Sequence, residues 1–194
     1  MKVKMIKIER KLDDFFCVDK AYLQYEKFNG EFSKTVFRFN LDRREAAAVL
    51  IYLEEKDRLL LIRQFRYADY AKGHGGWIEE IVAGVMEENE TALQCARRET
   101  IEETGYEIDR FEHIASAYST PGITTEFMHL YLGFARNSDL KHRGGGLDEE
   151  HEDIQLIEIS RETALKRLQS KSIRDAKTIL ALQYFLLNYP SAAK

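Results

Sequence analysis

The stretch from Gly84 to Tyr106, G-V-M-E-E-N-E-T-A-L-Q-C-A-R-R-E-T-I-E-E-T-G-Y, restricts this chain more than any other. Gly84, Glu90, Arg98, Glu99, Glu102, Glu103 and Gly105 frame a segment that reads as loop, then helix. From Thr91 on, Leu93, Ala96, Thr100 and Ile101 recur at helical spacing and predict an apolar stripe. On that helix Glu99 and Glu103 stand one turn apart, with Glu102 beside them. Carboxylates on adjoining faces repel one another, and a helix built only for stability avoids them. A hard divalent cation removes the conflict, because Mg²⁺ or Mn²⁺ takes oxygen ligands from a few carboxylates, waters and substrate phosphates. Alone, E-x-x-E-E is most simply a solvated acidic face. The flanking glycines, Glu90 and Arg98, all in register, argue for a site instead.

The pattern G-x5-E-x7-R-E-U-x-E-E-x-G-U, with U bulky and apolar, resembles the Nudix box. Thr100 departs from it, standing on the core side of the helix where a bulky apolar residue is usual. The resemblance implies an α/β Nudix fold, a mixed β-sheet sandwiched between α-helices, over about residues 43–194. It also implies diphosphate hydrolysis with Mg²⁺, for which Mn²⁺ can substitute. Carried over by position, Glu99, Glu103 and the carbonyl of Ala83 are the expected metal ligands, with Glu102 auxiliary. Arg98 is expected to orient the carboxylates and Glu90 to support them. In related enzymes acting on sugar nucleotides the base lies on a late loop. Here the cluster Glu149, Glu150, Glu152 occupies that place, with Glu152 the first candidate and Glu150 the next; a merely solvated acidic loop is the alternative.

With 194 residues, 44% of them hydrophobic, the chain has material for one domain and a small appendage. A formal net charge of −4 leaves no basic footprint for nucleic acid. Cys17 and Cys95 read as reduced thiols of a cytoplasmic protein. M-K-V-K-M-I-K-I-E-R lacks the apolar core of a signal peptide, and no apolar run approaches a membrane span.

Residues 1–42 read as strands, with Asn29-Gly30 as a hairpin signal. This small antiparallel sheet cannot bury a core by itself, so it is expected to lie on the main domain or on a second subunit, with dimerisation the reading taken. Ala46 to Tyr52 is a continuous apolar run, as in a strand buried on both faces. Leu59 to Ile62 returns, ending at Arg63-Gln64-Phe65-Arg66. Arg63 and Arg66 are candidates for the substrate, against plain surface charge. Ala71 to Gly76 reads as loop and Ile78 to Ala83 as a short strand. Ile114 to Ser119 and Phe127 to Phe134 read as strands around a Pro121-Gly122 turn. Arg136 to His151 is a long polar loop containing Gly144-Gly145-Gly146. Ile154 to Ile159 is a strand, and Ser160 an N-cap. A capping box at Ser172 to Asp175 is expected to open a last helix with the stripe Ala176, Ile179, Leu180, Gln183, Leu187.

Outside the box, Pro121 lies 16 residues after Gly105. T-P-G-I-T-T-E resembles the corresponding turn of ADP-ribose pyrophosphatases, which implies a sugar contact for Glu126. W-I-E-E-I-V-A-G is similar to the same enzymes and makes Glu80 a substrate candidate. G-G-G-L-D-E-E-H-E-D-I, S-I-R-D-A-K-T-I-L-A-L and L-I-R-Q-F-R resemble the GDP-mannose pyrophosphatase branch instead. Both branches imply a homodimer in which residues of the N-terminal sheet reach the partner's site; Arg38 and Phe16 are the candidates. L-D-R-R-E-A departs from both, with Arg44 where glycine is common. The expectation is a hydrolase of nucleoside diphosphate sugars, first ADP-ribose, then GDP-mannose. A dinucleoside polyphosphate or a nucleoside triphosphate would leave these features idle. A non-catalytic module that binds sugar nucleotides is the reading from another class, although such modules usually lose box carboxylates.

Overall fold

A computed structural model describes residues 1–147, 149 and 152–190. The chain forms two compact units. One is Met1–Glu45 with Ala117–Met128; the other is Ala46–Ser116 with His129–Lys194.

The smaller unit is built on a three-stranded sheet in the order β1 (Val3–Asp13), β2 (Cys17–Tyr25), β3 (Val36–Asp42), antiparallel throughout. The Asn29-Gly30 turn is present, with Gly30 at φ 84°, but the strand expected directly after it begins only at Val36. A bridge from Glu26 to Phe32 closes the intervening loop. This unit also takes in the tip of a hairpin made by β8 (Arg110–Tyr118) and β9 (Phe127–Ala135). Leu41 N–H donates to Ile123 O at 2.7 Å, and Thr125 N–H to Leu41 O at 3.1 Å. The Pro121 turn therefore belongs with the N-terminal sheet, beyond the expected boundary at residue 42.

The larger unit contains a seven-stranded sheet. Its path runs β10 (Gln155–Ile159), β5 (Arg58–Phe65), β4 (Ala46–Leu53), β9, β8, while β6 (Trp77–Glu80) pairs with β5 and β7 (Val82–Val85) with β4. β4 is buried on both faces, as its unbroken apolar run predicts. Ala47, Val49, Ile51 and Leu53 join the core beneath helix α2 (Ala92–Thr104), where Cys95 and Ala96 meet them. On the opposite face the Tyr52 ring lies 5.0 Å from Phe185 of helix α4 (Ala176–Asn188). Helix α3 (Arg161–Gln169) is capped by Ser160, whose side chain accepts from Thr163 N.

Four local expectations are corrected. The buried face of α2 is Cys95, Ala96, Thr100, Glu103 and Thr104, whereas Leu93 is exposed. Small residues face the sheet because β7 lies so close. In α4 the buried positions are Thr178, Ala181, Leu182 and Phe185, and Leu180 and Leu187 face solvent. That helix is capped by Asp175, which accepts from Thr178 N at 2.9 Å, not by Ser172. A short helix α1 (Tyr67–Ala71) occupies the start of what reads as loop.

Candidate active site

The site is assembled where α2 crosses β7. Thr91 and Gln94 close a reciprocal capping box at the helix start, and Gly105, at φ 77°, ends it. Between these caps the carboxylates are fixed by helical spacing. A Cβ built on Gly84 would fall inside the Glu99 carboxylate, so any larger residue there would push that carboxylate out of its present place. Thr100, fully buried, satisfies its hydroxyl by donating to Ala96 O at 2.6 Å. It fills the position of a bulky residue without leaving a polar group unpaired.

Arg98 ties the cluster together. Its guanidinium donates to Glu90 (3.0 and 3.1 Å), Glu99 Oε1 (2.6 Å), Glu102 Oε2 (3.1 Å) and Val85 O (3.1 Å). Those bonds, first to Glu90, hold its acidity below that of an ordinary arginine. Burial pushes Glu99 up to about 7, against Arg98 and with Glu102 and Glu152 adding to the rise. Burial, then the charges of Glu99, Glu152 and Glu80, pushes Glu103 well above the usual carboxylate range. Glu103 is 1% exposed and its Oε2 has no hydrogen-bond partner among the described residues.

A buried acceptor left without a donor and two carboxylates held at high pKa are the signature expected of a place for a cation. Among the described residues no three His, Cys, Asp or Glu side chains converge into a finished cage. Mg²⁺ is commonly held by one or two carboxylates and completed by water and phosphate. Glu99, Glu103 and the backbone of Ala83, beside Gly84 on β7, fit that donor set.

Glu152 enters from the late loop. Its Oε1 accepts from Gln64 Nε2 at 3.3 Å and its Oε2 from Leu147 N at 3.2 Å. The glycine run seats this loop on the helix end: Gly145 N–H donates to Glu103 O at 2.9 Å. Gly144, at φ 67°, lies so near Thr104 that a Cβ would meet its carbonyl carbon at 2.5 Å. The second candidate base, Glu150, lies outside the described residues. Beside Glu152 opens a cleft of about 1340 Å³ whose lining includes Trp77 and four arginines, Arg63, Arg143, Arg167 and Arg174. It exceeds the roughly 300–1,000 Å³ of an ordinary small-ligand site.

The remaining candidates are distributed as follows. Arg63 lines the cleft and donates to Glu79 (2.6 Å) and Gln155 (3.1 Å); Arg167 also bonds Glu79. Arg66 and Glu80 bind each other at 2.7 Å, and Glu80, 2% exposed, also takes Lys177. Burial pulls the Lys177 ammonium down, but Glu80 and Asp175 outweigh it and hold it above its ordinary value. Glu126, Arg38 and Phe16 belong to the N-terminal unit. There Glu126 lies 3.4 Å from Arg43, and the Arg43 guanidinium sits 4.9 Å from the Phe16 ring centre. Arg38 donates to Phe37 O at 2.8 Å.

Gln64, Lys177 and the bidentate Arg174–Asp69 pair (2.8 and 3.1 Å) are site features that sequence reasoning passed over. Gln64 carries a usable signal, a lone amide continuing the apolar row of Leu60 and Ile62.

Acidic helix, box glycines and mixed sheet together define a class: residues 42–179 match the NUDIX domain model, and the chain belongs to the Nudix family. It is similar to GDP-mannose pyrophosphatase of Cronobacter sakazakii, 34% identical over 188 residues and 96% of each chain. The like-named protein of Citrobacter koseri is 34% identical over 184 residues, 94% of each chain. That of Escherichia coli O1:K1 is 31% identical over 188 residues, 96% of each. Among solved structures, an ADP compounds hydrolase superposes with a TM-score of 0.73, covering 99% of this chain and 98% of that one. At 19% identity that likeness establishes the Nudix fold alone.

Proposed function

We propose that this protein is a Mg²⁺-dependent hydrolase of the diphosphate in a nucleoside diphosphate sugar, with Mn²⁺ an acceptable substitute. The observation that carries the reading is the meeting of the orphaned Glu103 carboxylate and Glu99 with Glu152 at the edge of an arginine-lined cleft. Glu99, Glu103 and the Ala83 carbonyl would hold the cation, with Glu102 at hand. When bound, the cation neutralises charge on the diphosphate oxygens and orients them for attack. Arg98 keeps three carboxylates from splaying apart. Glu152 accepts the proton of the attacking water. Arg63 and its neighbours in the cleft receive phosphate oxygens, exchanging their intramolecular carboxylate partners for substrate. Arg66, paired with Glu80 but as exposed as Arg63, meets substrate in the same way, with Glu80 beside it.

Similarity along nearly the whole chain to proteins named GDP-mannose pyrophosphatase supports GDP-mannose as substrate, giving GMP and mannose 1-phosphate. The Pro121 turn with Glu126 supports ADP-ribose, giving AMP and ribose 5-phosphate, as the second reading. The experiment gives purified protein Mg²⁺ and each substrate in parallel and separates products by ion-exchange chromatography. Faster GMP release supports the first reading and faster AMP release the second. No nucleoside monophosphate from either sinks both.

A homodimer accompanies this reading. On β1 and β3 the apolar residues Val3, Met5, Ile6, Ile8, Phe37 and Phe39 are each about half exposed, far more than a small free sheet tolerates in water. In the dimer the N-terminal unit supplies Arg38, Phe16 and Glu126 to substrate. A cytoplasmic setting agrees with free Cys17 and Cys95. Among the described residues no helix is long and apolar enough to cross a membrane.

A further inference from the structure

On β5, Leu60, Ile62 and Gln64 face the same side of the sheet, and the first two belong to the core under α2. Gln64 is an amide in the next place of that row, 8% exposed. Nothing about packing calls for it, because another aliphatic side chain would extend the core. A buried amide persists where its polar atoms are used. Nε2 is used: it donates to Glu152 Oε1 at 3.3 Å. A carboxylate acting as a base has no proton to offer, so the amide must present its NH₂ and turn its oxygen elsewhere. That oxygen, Gln64 Oε1, is buried and has no hydrogen-bond partner among the described residues. The other side-chain atom in that condition is Oε2 of Glu103. The two orphaned acceptors thus belong to side chains that each interact with Glu152.

A hydrolytic water brings two protons. One goes to the base, and a base free to swing would let the water's lone pair leave the line of attack. We propose that Gln64 is the positioning residue for this step, resting on the reading of Glu152 as base. Its NH₂ donates to Glu152 Oε1 at 3.3 Å and so fixes how the rest of that carboxylate faces the water whose proton it takes. The balance is complete without a further reactant. The water oxygen bonds to one phosphorus, and the bridging P–O bond breaks with its electron pair on the departing phosphate. One proton passes to Glu152; the other stays on the new phosphate oxygen.

The test is a double-mutant cycle of Gln64→Met, which keeps length and removes both polar atoms, with Glu152→Gln, read as kcat and KM under saturating Mg²⁺. Gln64→Met is expected to lower kcat about 10- to 100-fold with KM within about twofold. In the Glu152→Gln background it is expected to change kcat less than about twofold, because the two residues act as one unit. An unchanged kcat in Gln64→Met, with Glu152→Gln slow, overturns the inference and leaves the base assignment standing. Multiplying effects also overturn it. An unchanged kcat in Glu152→Gln defeats the base reading itself and the inference with it. If Gln64→Met fails to fold by circular dichroism, Gln64→Glu decides. It sets a carboxylate against Glu152 in place of the NH₂ donor, so its deficit is expected to shrink as pH falls from about 8 to 6. A deficit independent of pH, or none, overturns the inference.

Discussion

At the scale of single residues, the site is built on carboxylates placed where the fold alone would not put them. Glu103 is almost wholly enclosed, and burial holds it, like Glu99 at about 7, above the ordinary carboxylate value of 4.5. Between that value and their folded values, both groups bind more protons in the folded state than in the unfolded one. Metal-free stability must therefore fall as pH rises through that window. Melting in a chelator is expected at a lower temperature at about pH 7.5 than at about pH 5.5. Glu103→Gln is expected to flatten that slope and to cut turnover by orders of magnitude while folding normally. An unchanged slope would place its origin elsewhere, and wild-type turnover would remove Glu103 from the metal set. Added Mg²⁺ is expected to restore more stability at the higher pH, because its ligands must be ionised. Residues such as Arg98, Glu99, Glu102 and Glu103 were legible because one helix fixes their spacing. Gln64 and Lys177 were not, because Glu152 lies 88 positions away from the first and Glu80 97 from the second. No local pattern encodes a partner at that distance.

At the scale of elements, two short strands and one loop do most of the positioning. β7 passes under Glu99 at a glycine, and the Gly144–Gly146 run seats the late loop on the end of α2. Gly144→Ala sets a methyl against the Thr104 backbone at a positive φ, and substitutions of this kind usually cost about 1–3 kcal/mol. The expected result is a lower melting temperature together with a lower kcat, since Glu152 loses its seat. A loss of stability with kcat unaltered would detach the loop from the chemistry. Reading the chain by period found β4, β9 and the existence of α2 and α4, because long apolar or amphipathic runs announce themselves. It missed α1, whose five residues span too few turns to show a period. It misplaced the buried face of α4, because Thr178 and Ala181 pack inward where a hydrophobicity pattern favours Leu180 and Leu187. Tertiary packing at close quarters prefers small residues, and hydropathy does not register that.

At the scale of the whole molecule, the N-terminal sheet bears apolar residues that a solitary sheet would not keep. Sedimentation equilibrium is expected to give twice the chain mass at micromolar concentration. Ile8→Glu, in the exposed apolar row of β1, is expected to shift that equilibrium towards monomer while the Nudix unit remains folded. A wild-type monomer would remove the dimer and with it the idea that Arg38 and Phe16 serve a neighbouring site. The smaller unit is also discontinuous along the chain. It is made of Met1–Glu45 and again of the hairpin tip at Ala117–Met128. Such a module cannot be acquired or discarded by a single cut at its border. Trimming the chain to Ala46 would leave the Ile123 carbonyl and the Thr125 amide without the strand they bond. The N-terminal sheet is thereby finished by residues that the chain supplies only after it has laid down β4 to β8.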